Sequence, residues 1–527
     1  MVARAGQLVE WARRCPVAAA LTVAGLLVTA WGAYRLRGLY VGDAAVYLPY
    51  AENAAEGNFF QFNEGEFSSG STGVLWSLIL AIPFVFGFDI DGARAVATLF
   101  AMAGLVGTLL AAERVSRSWT AAAVASLFVL GTMVFYAVAM YESGLIVVLS
   151  AVLLIAGDRM LQSWRERGEI DLRTMAPVIA TWAALPLVRP DSVILVGAHA
   201  AALLAFAPAP RGRALAKVAV GLAIAAIPAA AYFGYSLVEL DTFSTSSQGR
   251  TFALQEVSEE WIGPLYKSDD AIQELFGSPW IFVFVPGVAG LALLARWARD
   301  RWQWVTVYGL LAVAGYIALL TFIAPGLSDT DRYLLPTVPI LAAGAAALLA
   351  RARASRLWPV AVAVAVLAVA LPSLDELRDL TRFARSAGIK EHEVFERDVV
   401  QRVESLAERG DVLLAYEVQL RLFLRDDIDL LSLDGITDGK VAPYQDDSEL
   451  TAFLERYRPR FWIADRNVHT RPYLRDTVLE RVLDAHERDP ERMSFVDDGL
   501  RFRLLAVRDR PLARAFGGWE ALFEISY

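Results

Sequence analysis

Twelve apolar runs, each long enough to cross or partly cross a lipid bilayer, fill the first 372 residues of this 527-residue chain. A membrane-spanning helix needs about 20 mainly apolar residues, with a range of roughly 17 to 25. The pattern therefore predicts a polytopic α-helical membrane protein with about 11 to 12 transmembrane helices. The runs are Cys15–Tyr34, Gly73–Phe88, Gly92–Ala112, Trp119–Met140, Gly144–Gly157, Ala176–Val188, Ser192–Ala209, Val218–Val238, Trp280–Ala295, Trp304–Ala324, Pro336–Ala350 and Leu357–Leu371.

Charge divides the chain into two parts. Of the 58 Asp+Glu and 49 Lys+Arg residues, 32 and 24 respectively fall in the last 155 residues. Residues 373–527 are thus about 36% charged, against about 14% for residues 1–372. No region has the basic excess that binding to a nucleic-acid backbone requires. These numbers exclude a uniform soluble enzyme, a disordered chain and a nucleic-acid binder, and predict a membrane domain (1–372) followed by a soluble domain (373–527).

Cysteine and histidine usage limits the metal chemistry. Cys15 is the single cysteine, so an intramolecular disulfide and a cysteine-based metal site are both excluded. The four histidines are His199, His392, His469 and His486. None is spaced from another as in HxxxH or HExxH, so the sequence does not predict a zinc enzyme.

The first apolar run has two interpretations. It follows Arg4, Arg13 and Arg14, as the apolar part of a signal peptide would. The residues after it, Arg35-Leu36-Arg37-Gly38, contain no small-x-small cleavage site. We therefore interpret the run as an uncleaved span with a cytoplasmic N-terminus, since basic residues concentrate on the cytoplasmic side.

Basic clusters between the later runs predict the remaining sidedness. The run Gly73–Phe88 has only 16 residues and contains Pro83. If this run crosses the membrane only partly, every basic cluster falls on the cytoplasmic side. The chain then crosses the cell membrane eleven times and its C-terminal domain is extracytoplasmic. The clusters are Arg114/Arg117, Arg159/Arg165/Arg167, Arg211/Arg213/Lys217, Arg296/Arg299/Arg301 and Arg351/Arg353/Arg356.

This topology places the polar loops on the outer side, together with the C-terminal domain. The first outer loop spans residues 38–72 and a large outer loop spans residues 239–279. Three shorter outer segments are Tyr141–Ser143, Arg189–Asp191 and Pro325–Leu335. Chemistry at this face cannot rely on cytosolic nucleotides.

The C-terminal domain has the mixed pattern of an α/β fold. Helical periodicity predicts helices over Val394–Arg409 and Ser448–Tyr457. Short apolar runs predict strands at Val412–Tyr416, Ile428–Leu433, Phe461–Ala464 and Arg501–Val507, with turns at Gly410-Asp411 and Asp434-Gly435.

Two carboxylates stand out at the predicted outer face. Asp43 follows the first span by a few residues, where it could act as a general base towards an acceptor hydroxyl. The alternative is an N-cap for the helical segment Ala44–Ala55. Glu142 lies between two apolar runs, and an ionisable residue at such a position is a functional candidate. It would share a proton, orient an acceptor, or bind a divalent cation (Mg²⁺, Mn²⁺ or Ca²⁺) together with Asp43.

The first outer loop resembles that of a known family. The loop is similar to the first-loop signature of one branch of the GT-C glycosyltransferases. The matching residues are Asp43, Tyr50-Ala51, Asn53, Gly57, Phe62-Asn63, Gly65-Glu66, Gly70, Thr72 and Leu75-Trp76. That branch holds membrane enzymes similar to mycobacterial arabinofuranosyltransferases, and more distantly protein O-mannosyltransferases and lipid A aminoarabinose transferases. The family pattern begins with paired acids. In one alignment Gly42 occupies the first position of the pair, and Asp43 is the second acid. In the other, shifted by one residue, Asp43 is the first acid and Tyr47 matches the family's aromatic residue four positions later.

Further segments resemble the family in the same order along almost the whole chain. These are Met140-Tyr141-Glu142-Ser143-Gly144-Leu145, Arg189-Pro190-Asp191, Leu240-Asp241-Thr242-Phe243, Asp331-Arg332-Tyr333 with Pro336 and Pro339, Gly410-Asp411-Val412, and Asp429 to Gly435. The resemblance implies an inverting transfer of a sugar from a polyprenyl-phosphate donor. The acceptor is a cell-envelope glycan, a glycolipid or a protein on the outer face, and Asp43 is the base.

The lipid-phosphate leaving group of such a transfer needs fixed cations. Arginine suits this role because its guanidinium stays charged and binds phosphate oxygens in a forked geometry. The outer-face cations are Arg332, Arg189, Arg250 and Lys267, of which Arg332 is the first choice. Two structural alternatives remain open, a snorkelling Arg332 paired with Asp329 or Asp331, and a plain helix-hairpin turn at Arg189-Pro190-Asp191.

A sugar pocket completes the predicted site. The resemblance assigns to it Tyr47, Asn53, Glu66, Asp191, Asp331 and Tyr333. Glu66 with Ser68–Gly73 would line the acceptor entrance, or would form a solvated turn.

Two other functional classes compete with a transferase. A transporter or lipid flippase predicts inverted repeats and charges in mid-helix, and the sequence has neither. A membrane-anchored assembly protein without catalysis would use only its C-terminal domain. Against it, the predicted topology places Asp43, Glu142 and Arg332 on one side.

Overall fold

The protein is a mostly helical membrane protein with a C-terminal sheet domain, and its fold is taken here from a computed structural model. The structure describes residues 10–37, 44–128, 130–168, 172–207, 211–240, 281–297, 302–320, 330–385, 387–415, 418–433, 447–465, 477–509 and 519–527.

Helices follow the apolar runs along the described part of the chain. They are α1 (Pro16–Arg35), α2 (Ala44–Ala55), α3 (Val74–Val85), α4 (Ile90–Ser116), α5 (Trp119–Ser126), α6 (Leu130–Val138), α7 (Ser143–Arg167), α8 (Leu172–Val188), α9 (Val193–Ala205), α10 (Arg211–Leu240), α11 (Ile281–Trp297), α12 (Gln303–Ala318), α13 (Thr330–Leu334), α14 (Val338–Arg351) and α15 (Trp358–Arg385). Six described helical segments are long and apolar enough to cross a membrane, and five shorter apolar helices accompany them.

Two runs differ in detail from simple spans. Helix α3 has 12 residues and rises about 18 Å, which is shorter than the hydrocarbon core of about 30 Å. This length agrees with a partial crossing by Gly73–Phe88. The run Trp119–Met140 forms two helices, α5 and α6, rather than one. Ser126 at the end of α5 and Gly131-Thr132 at the start of α6 interrupt the otherwise apolar run.

Small residues let the membrane helices approach closely. A methyl group at Gly290 on α11 would lie 1.9 Å from the Gly344 carbonyl oxygen on α14. A methyl group at Gly344 would in turn lie 2.3 Å from the Gly287 carbonyl oxygen. Because hydrophobic burial does not drive association between helices in lipid, such close backbone packing contributes much of their cohesion.

The contacts divide the chain into two compact units. The first unit comprises Met1–Leu39, Asp91–Tyr232 and Ile262–Thr381, and the second comprises Tyr40–Ile90, Phe233–Trp261 and Arg382–Tyr527. The second unit therefore groups the first loop with the C-terminal domain. The predicted division by chain order, at residues 372 and 373, stays a prediction.

The C-terminal domain contains a six-stranded mixed sheet. Its strands are β1 (Val412–Ala415), β2 (Asp429–Ser432), β3 (Phe461–Asp465), β4 (Ser494–Asp497), β5 (Leu500–Asp509) and β6 (Trp519–Ser526). The order is β2-β1-β3-β6-β5-β4, in which β2, β1 and β3 run parallel and the remaining neighbours are antiparallel. Its helices are α16 (Ala387–Leu406), α17 (Asp447–Tyr457) and α18 (Val478–Arg488).

Both faces of this sheet are covered. One core contains Trp462 and Phe523 of the sheet together with Phe453 of α17 and Val482 of α18. The opposite core contains Leu413 of β1 with residues of α16 and of the first loop. All four strands and both helices predicted in this domain are confirmed. Strands β4 and β6 and helix α18 were not predicted.

Candidate active site

Three helix ends of the first unit bring a carboxylate and two arginines together. Glu142 directly precedes α7, Arg189 follows α8, and Arg332 lies in the short helix α13 that leads into α14. The Ser150 hydroxyl on α7 donates to the Pro336 carbonyl at 2.6 Å. This bond joins α7, which follows Glu142 in the chain, to the turn that follows Arg332. We call Glu142, Arg189 and Arg332 the arginine–glutamate cluster.

Both guanidinium groups donate hydrogen bonds to one oxygen of Glu142. Arg332 donates to Glu142 Oε1 from Nε at 3.1 Å and from Nη2 at 2.8 Å. Arg189 donates from Nη1 to the same oxygen at 3.3 Å. The second oxygen, Glu142 Oε2, is buried and has no hydrogen-bond partner within the described residues. The carboxylate therefore retains accepting capacity that the surrounding protein does not use.

A second carboxylate and two tyrosines complete the surroundings of the cluster. Arg189 Nε donates to Asp191 Oδ1 at 2.9 Å. The Arg189 guanidinium carbon lies 4.3 Å from the centre of the Tyr333 ring, and that of Arg332 lies 4.4 Å from the Tyr141 ring. Aromatic faces attract cations and hold planar guanidiniums in fixed orientations. The two arginines are therefore held in position before any ligand binds.

The cluster is deeply buried. The side chains of Glu142, Arg189 and Arg332 are 0%, 4% and 9% exposed. Burial raises the pKa of Glu142, but the charges of Arg332 and Arg189 outweigh it, so the pKa lies below its ordinary value. Glu142 is therefore an anion that offsets part of the positive charge of the two guanidiniums, and Asp191, which pairs with Arg189, offsets more of it.

The cluster lies at the opposite end of α7 from Arg165 and Arg167. Arg165 lies in the last turn of α7, about 35 Å along the axis from Glu142. Towards that other end, Arg114 Nε contacts Asp158 Oδ2 at 2.5 Å. Basic residues concentrate on the cytoplasmic side of membrane proteins. The side of the membrane on which Glu142 lies stays a prediction.

A divalent cation does not fit the neighbourhood of Glu142. Its coordinating oxygen already binds two guanidiniums, whose charges would repel a metal ion. Among the described residues, no group of three or more His, Cys, Asp or Glu is arranged to hold a metal. We therefore derive no step through a metal at this position.

The pocket residues predicted in the first loop belong to the second unit and have structural contacts there. Asn53 Nδ2 donates to the carbonyls of Gln61 at 3.0 Å and Phe62 at 3.1 Å. The Tyr47 ring is buried, and its hydroxyl lies 3.3 Å from Thr72 Oγ1. Glu66 is partly buried in the same loop. Through these contacts, Asn53 and Tyr47 hold the first loop in its folded conformation.

The structure brings together five of the predicted site residues: Glu142, Arg189, Arg332, Asp191 and Tyr333. Other predictions, Asp43, Arg250 and Lys267, lie outside the described residues, as do Asp329 and the side chain of Asp331.

Two tyrosines near the cluster were not predicted. Tyr141 packs on Arg332, and the fully buried Tyr316 on α12 lies near Asp191 without a hydrogen bond to it. Tyr141 adjoins Glu142 in the sequence, which was the available signal. Tyr316 lies within an apolar run and had none.

Comparison with known proteins identifies the fold. No protein-family model and no curated protein matches this sequence. Two solved structures are similar along nearly the whole chain. They are crystal structures of ArnT from Cupriavidus metallidurans, one bound to undecaprenyl phosphate and one in the apo state. Each is 14% identical and covers 96% of this chain and 97% of that one, with TM-scores of 0.57 and 0.56. ArnT is a GT-C lipid A aminoarabinose transferase. The likeness shows that this chain has the GT-C fold.

Proposed function

We propose that the chain is an integral-membrane glycosyltransferase. It moves a sugar from a polyprenyl-phosphate donor to a cell-envelope glycan, glycolipid or protein acceptor on the outer face of the cell membrane. The observation that carries this proposal is the buried arginine–glutamate cluster, in which Arg332 and Arg189 meet at one end of the membrane helices. ArnT, which has the same fold, was crystallised with undecaprenyl phosphate.

The charge change in the reaction explains the use of two arginines. The donor phosphate is a diester with one negative charge. When the acceptor oxygen bonds to the anomeric carbon, the carbon–oxygen bond to phosphate breaks and the lipid phosphate gains a second charge. A cation that is already in place stabilises this developing charge without reorganisation. Arg332 and Arg189 would bind the phosphate oxygens in forked geometry, with Arg250 and Lys267 as further proposed cations.

Glu142 has a positioning role in this proposal. It binds both guanidiniums through Oε1 and so fixes their spacing. Its second oxygen, to which no described residue donates a hydrogen bond, would accept one from a hydroxyl of the bound sugar. Asp191 and Tyr333, which hold Arg189, belong to the same proposed pocket together with Asp331.

Proton transfer requires a base, and we assign this role to Asp43. The acceptor hydroxyl loses its proton to the carboxylate as the oxygen attacks the anomeric carbon. The reaction is a single displacement and inverts the anomeric centre. Tyr47 and Asn53, whose side chains bond within the first loop, would hold α2 in place next to Asp43.

A lipid-linked donor also suits the proposed sidedness. With the basic clusters in the cytoplasm, the N-terminus is cytoplasmic and the C-terminal domain (373–527) is extracytoplasmic. The arginine–glutamate cluster then faces a compartment without nucleotide sugars. A polyprenyl phosphate carries the activated sugar across the membrane in a form that this face can use.

Sugar transfer by the purified chain tests the proposal. Protein in nanodiscs would receive a panel of synthetic polyprenyl-phosphate pentoses and hexoses together with glycan, glycolipid and peptide acceptors. We expect transfer from at least one donor and its loss in Asp43→Asn, while Asp89→Asn, which changes an exposed acid, keeps it. Transfer unchanged in Asp43→Asn would remove Asp43 as the base. Failure with every donor would contradict the proposed function.

A further inference from the structure

The first loop covers an open edge of the C-terminal sheet. Strand β2 is the edge strand, and it pairs with β1 on one side only. Asp429 and Leu433 donate backbone hydrogen bonds towards β1, so Leu430 between them directs its backbone groups away from it. Asn63 of the first loop binds both of these groups. Its Nδ2 donates to the Leu430 carbonyl at 3.0 Å, and its Oδ1 accepts from the Leu430 N–H at 3.1 Å.

The amide of Asn63 thus acts as a short extra strand. A primary amide has one donor and one acceptor in the geometry of a peptide group, so it can satisfy both backbone groups of one edge residue. Asn63 is 2% exposed, so the two bonds form out of contact with water. An unpaired edge at this buried position would leave two polar groups unsatisfied. The bonds specify one location and one orientation of the loop.

The loop also contributes to the hydrophobic core of the domain. Val46 and Tyr50 of α2 and Phe62 of the loop belong to the core that contains Leu430. Val46 is 5%, Tyr50 3% and Phe62 0% exposed. Without the loop this face of the sheet would expose apolar side chains to water. The domain is therefore completed by a segment that lies more than 300 residues earlier in the chain.

Internal bonds make the loop stiff from this contact back to its helix. Asn53 on α2 donates to the carbonyls of Gln61 and Phe62, the two residues before Asn63. The Tyr50 hydroxyl contacts Ser68 and accepts from the Gly70 N–H at 2.9 Å. The loop cannot shift on the sheet without α2 shifting as well.

From these contacts we infer that the C-terminal domain is a positioning element for the first loop, and that Asn63 is its main positioning residue. The inference rests on the proposed function, in which Asp43, the residue directly before α2, takes the acceptor proton. The domain holds α2 through Asn63 and the shared core, so loosening this contact would free the helix that Asp43 adjoins in the sequence. Small misplacements of a reacting group cost rates of roughly 10- to 100-fold.

The test uses the full chain in nanodiscs with Asn63→Ala and a matched control, Asn58→Ala, which removes the same amide from the same loop. Hydrogen exchange reports the Leu430 amide, and steady-state kinetics report kcat and the KM for the lipid donor. In Asn63→Ala we expect faster exchange at Leu430 and a kcat lowered roughly 10-fold. The donor KM should stay within about twofold because the arginine–glutamate cluster is untouched. Asn58→Ala should change neither.

A second variant covers a failure of Asn63→Ala to fold. Asn63→Gln keeps both amide groups on a side chain that is one methylene longer, so its effects should be intermediate. Faster exchange at Leu430 with an unchanged kcat would overturn the positioning role. Unchanged exchange would show that the contact does not hold the loop, and would overturn it as well. A wild-type chain without transfer would contradict the proposed function, while the exchange result would still decide whether the loop docks on the domain.

Discussion

The arginine–glutamate cluster and the first loop satisfy their polar groups in different ways. In the cluster, Arg189 and Arg332 bind a side-chain oxygen of Glu142, whose other oxygen is unused by the described residues. In the loop, the side-chain amides of Asn53 and Asn63 bind backbone groups of the same unit. Backbone bonds fix a fold, whereas charged side chains with spare capacity can accept a ligand. The comparison separates a binding role for the cluster from a positioning role for the loop.

The largest effect is expected at Arg332. Replacing it by Gln removes one of two preset cations, and the rate of sugar transfer should fall roughly 10²- to 10³-fold. Arg332→Lys keeps the charge but loses the forked hydrogen-bond geometry, so its transfer rate should lie between those of the wild type and Arg332→Gln. The matched control is Arg114→Gln, which breaks the buried pair with Asp158 towards the other end of α7. If the control lowers the rate as much as Arg332→Gln does, the cluster has no special role in transfer.

A loss of stability is expected for Glu142→Gln. It leaves two buried guanidiniums without their shared anion, which costs about 3 kcal/mol in the free energy of unfolding. The pKa of Glu142 is depressed in the folded protein, so its contribution is present above about pH 4.5 and disappears as the pH falls through the folded pKa. Thermal unfolding of both proteins at a series of pH values measures this difference. Equal stability at neutral pH would show that the anion is dispensable.

For Asn53→Ala the effect should be smaller and confined to the fold of the loop. The variant loses two hydrogen bonds to backbone carbonyls, worth about 1 to 2 kcal/mol. We expect a lower unfolding temperature and faster proteolysis between α2 and α3, with an unchanged donor KM. A weaker donor affinity at full stability would instead assign Asn53 to the sugar pocket.

Glu66→Gln should have the smallest effect. Its carboxylate lies in a partly exposed loop, where substitutions change stability by less than about 0.5 kcal/mol. Acceptor titrations should give nearly the same KM for the variant and the wild type. A large increase in the acceptor KM would place Glu66 at the acceptor entrance and would weaken the contrast between loop and cluster.

The sequence predicted the fold class and most elements, because the patterns that define them are local. Apolar runs marked the membrane helices, and Val412–Tyr416 and Phe461–Ala464 marked strands. Helix α18 was missed although Val478, Leu479, Val482 and Leu483 repeat at helical spacing and are buried. The division of Trp119–Met140 into two helices was missed although Ser126 ends α5 and Gly131-Thr132 lie at the start of α6.

The residues of the site were predicted individually, whereas the contacts between them were not. Glu142, Arg189 and Arg332 were each singled out, but their partners lie 47 and 190 residues apart in the chain. Such pairs arise from helix packing, which a single sequence does not specify. The same reason hid the contact between Asn63 and Leu430, which joins two predicted domains of the chain. Local chemistry was readable from the residues, and long-range geometry was not.

The central claim is that the arginine–glutamate cluster binds the phosphate of a polyprenyl lipid. A structure of the protein with bound polyprenyl phosphate tests this most directly. We expect phosphate oxygens within hydrogen-bond distance of both Arg332 and Arg189, with Glu142 still between the two guanidiniums. A phosphate bound elsewhere, with no contact to either arginine, would contradict it.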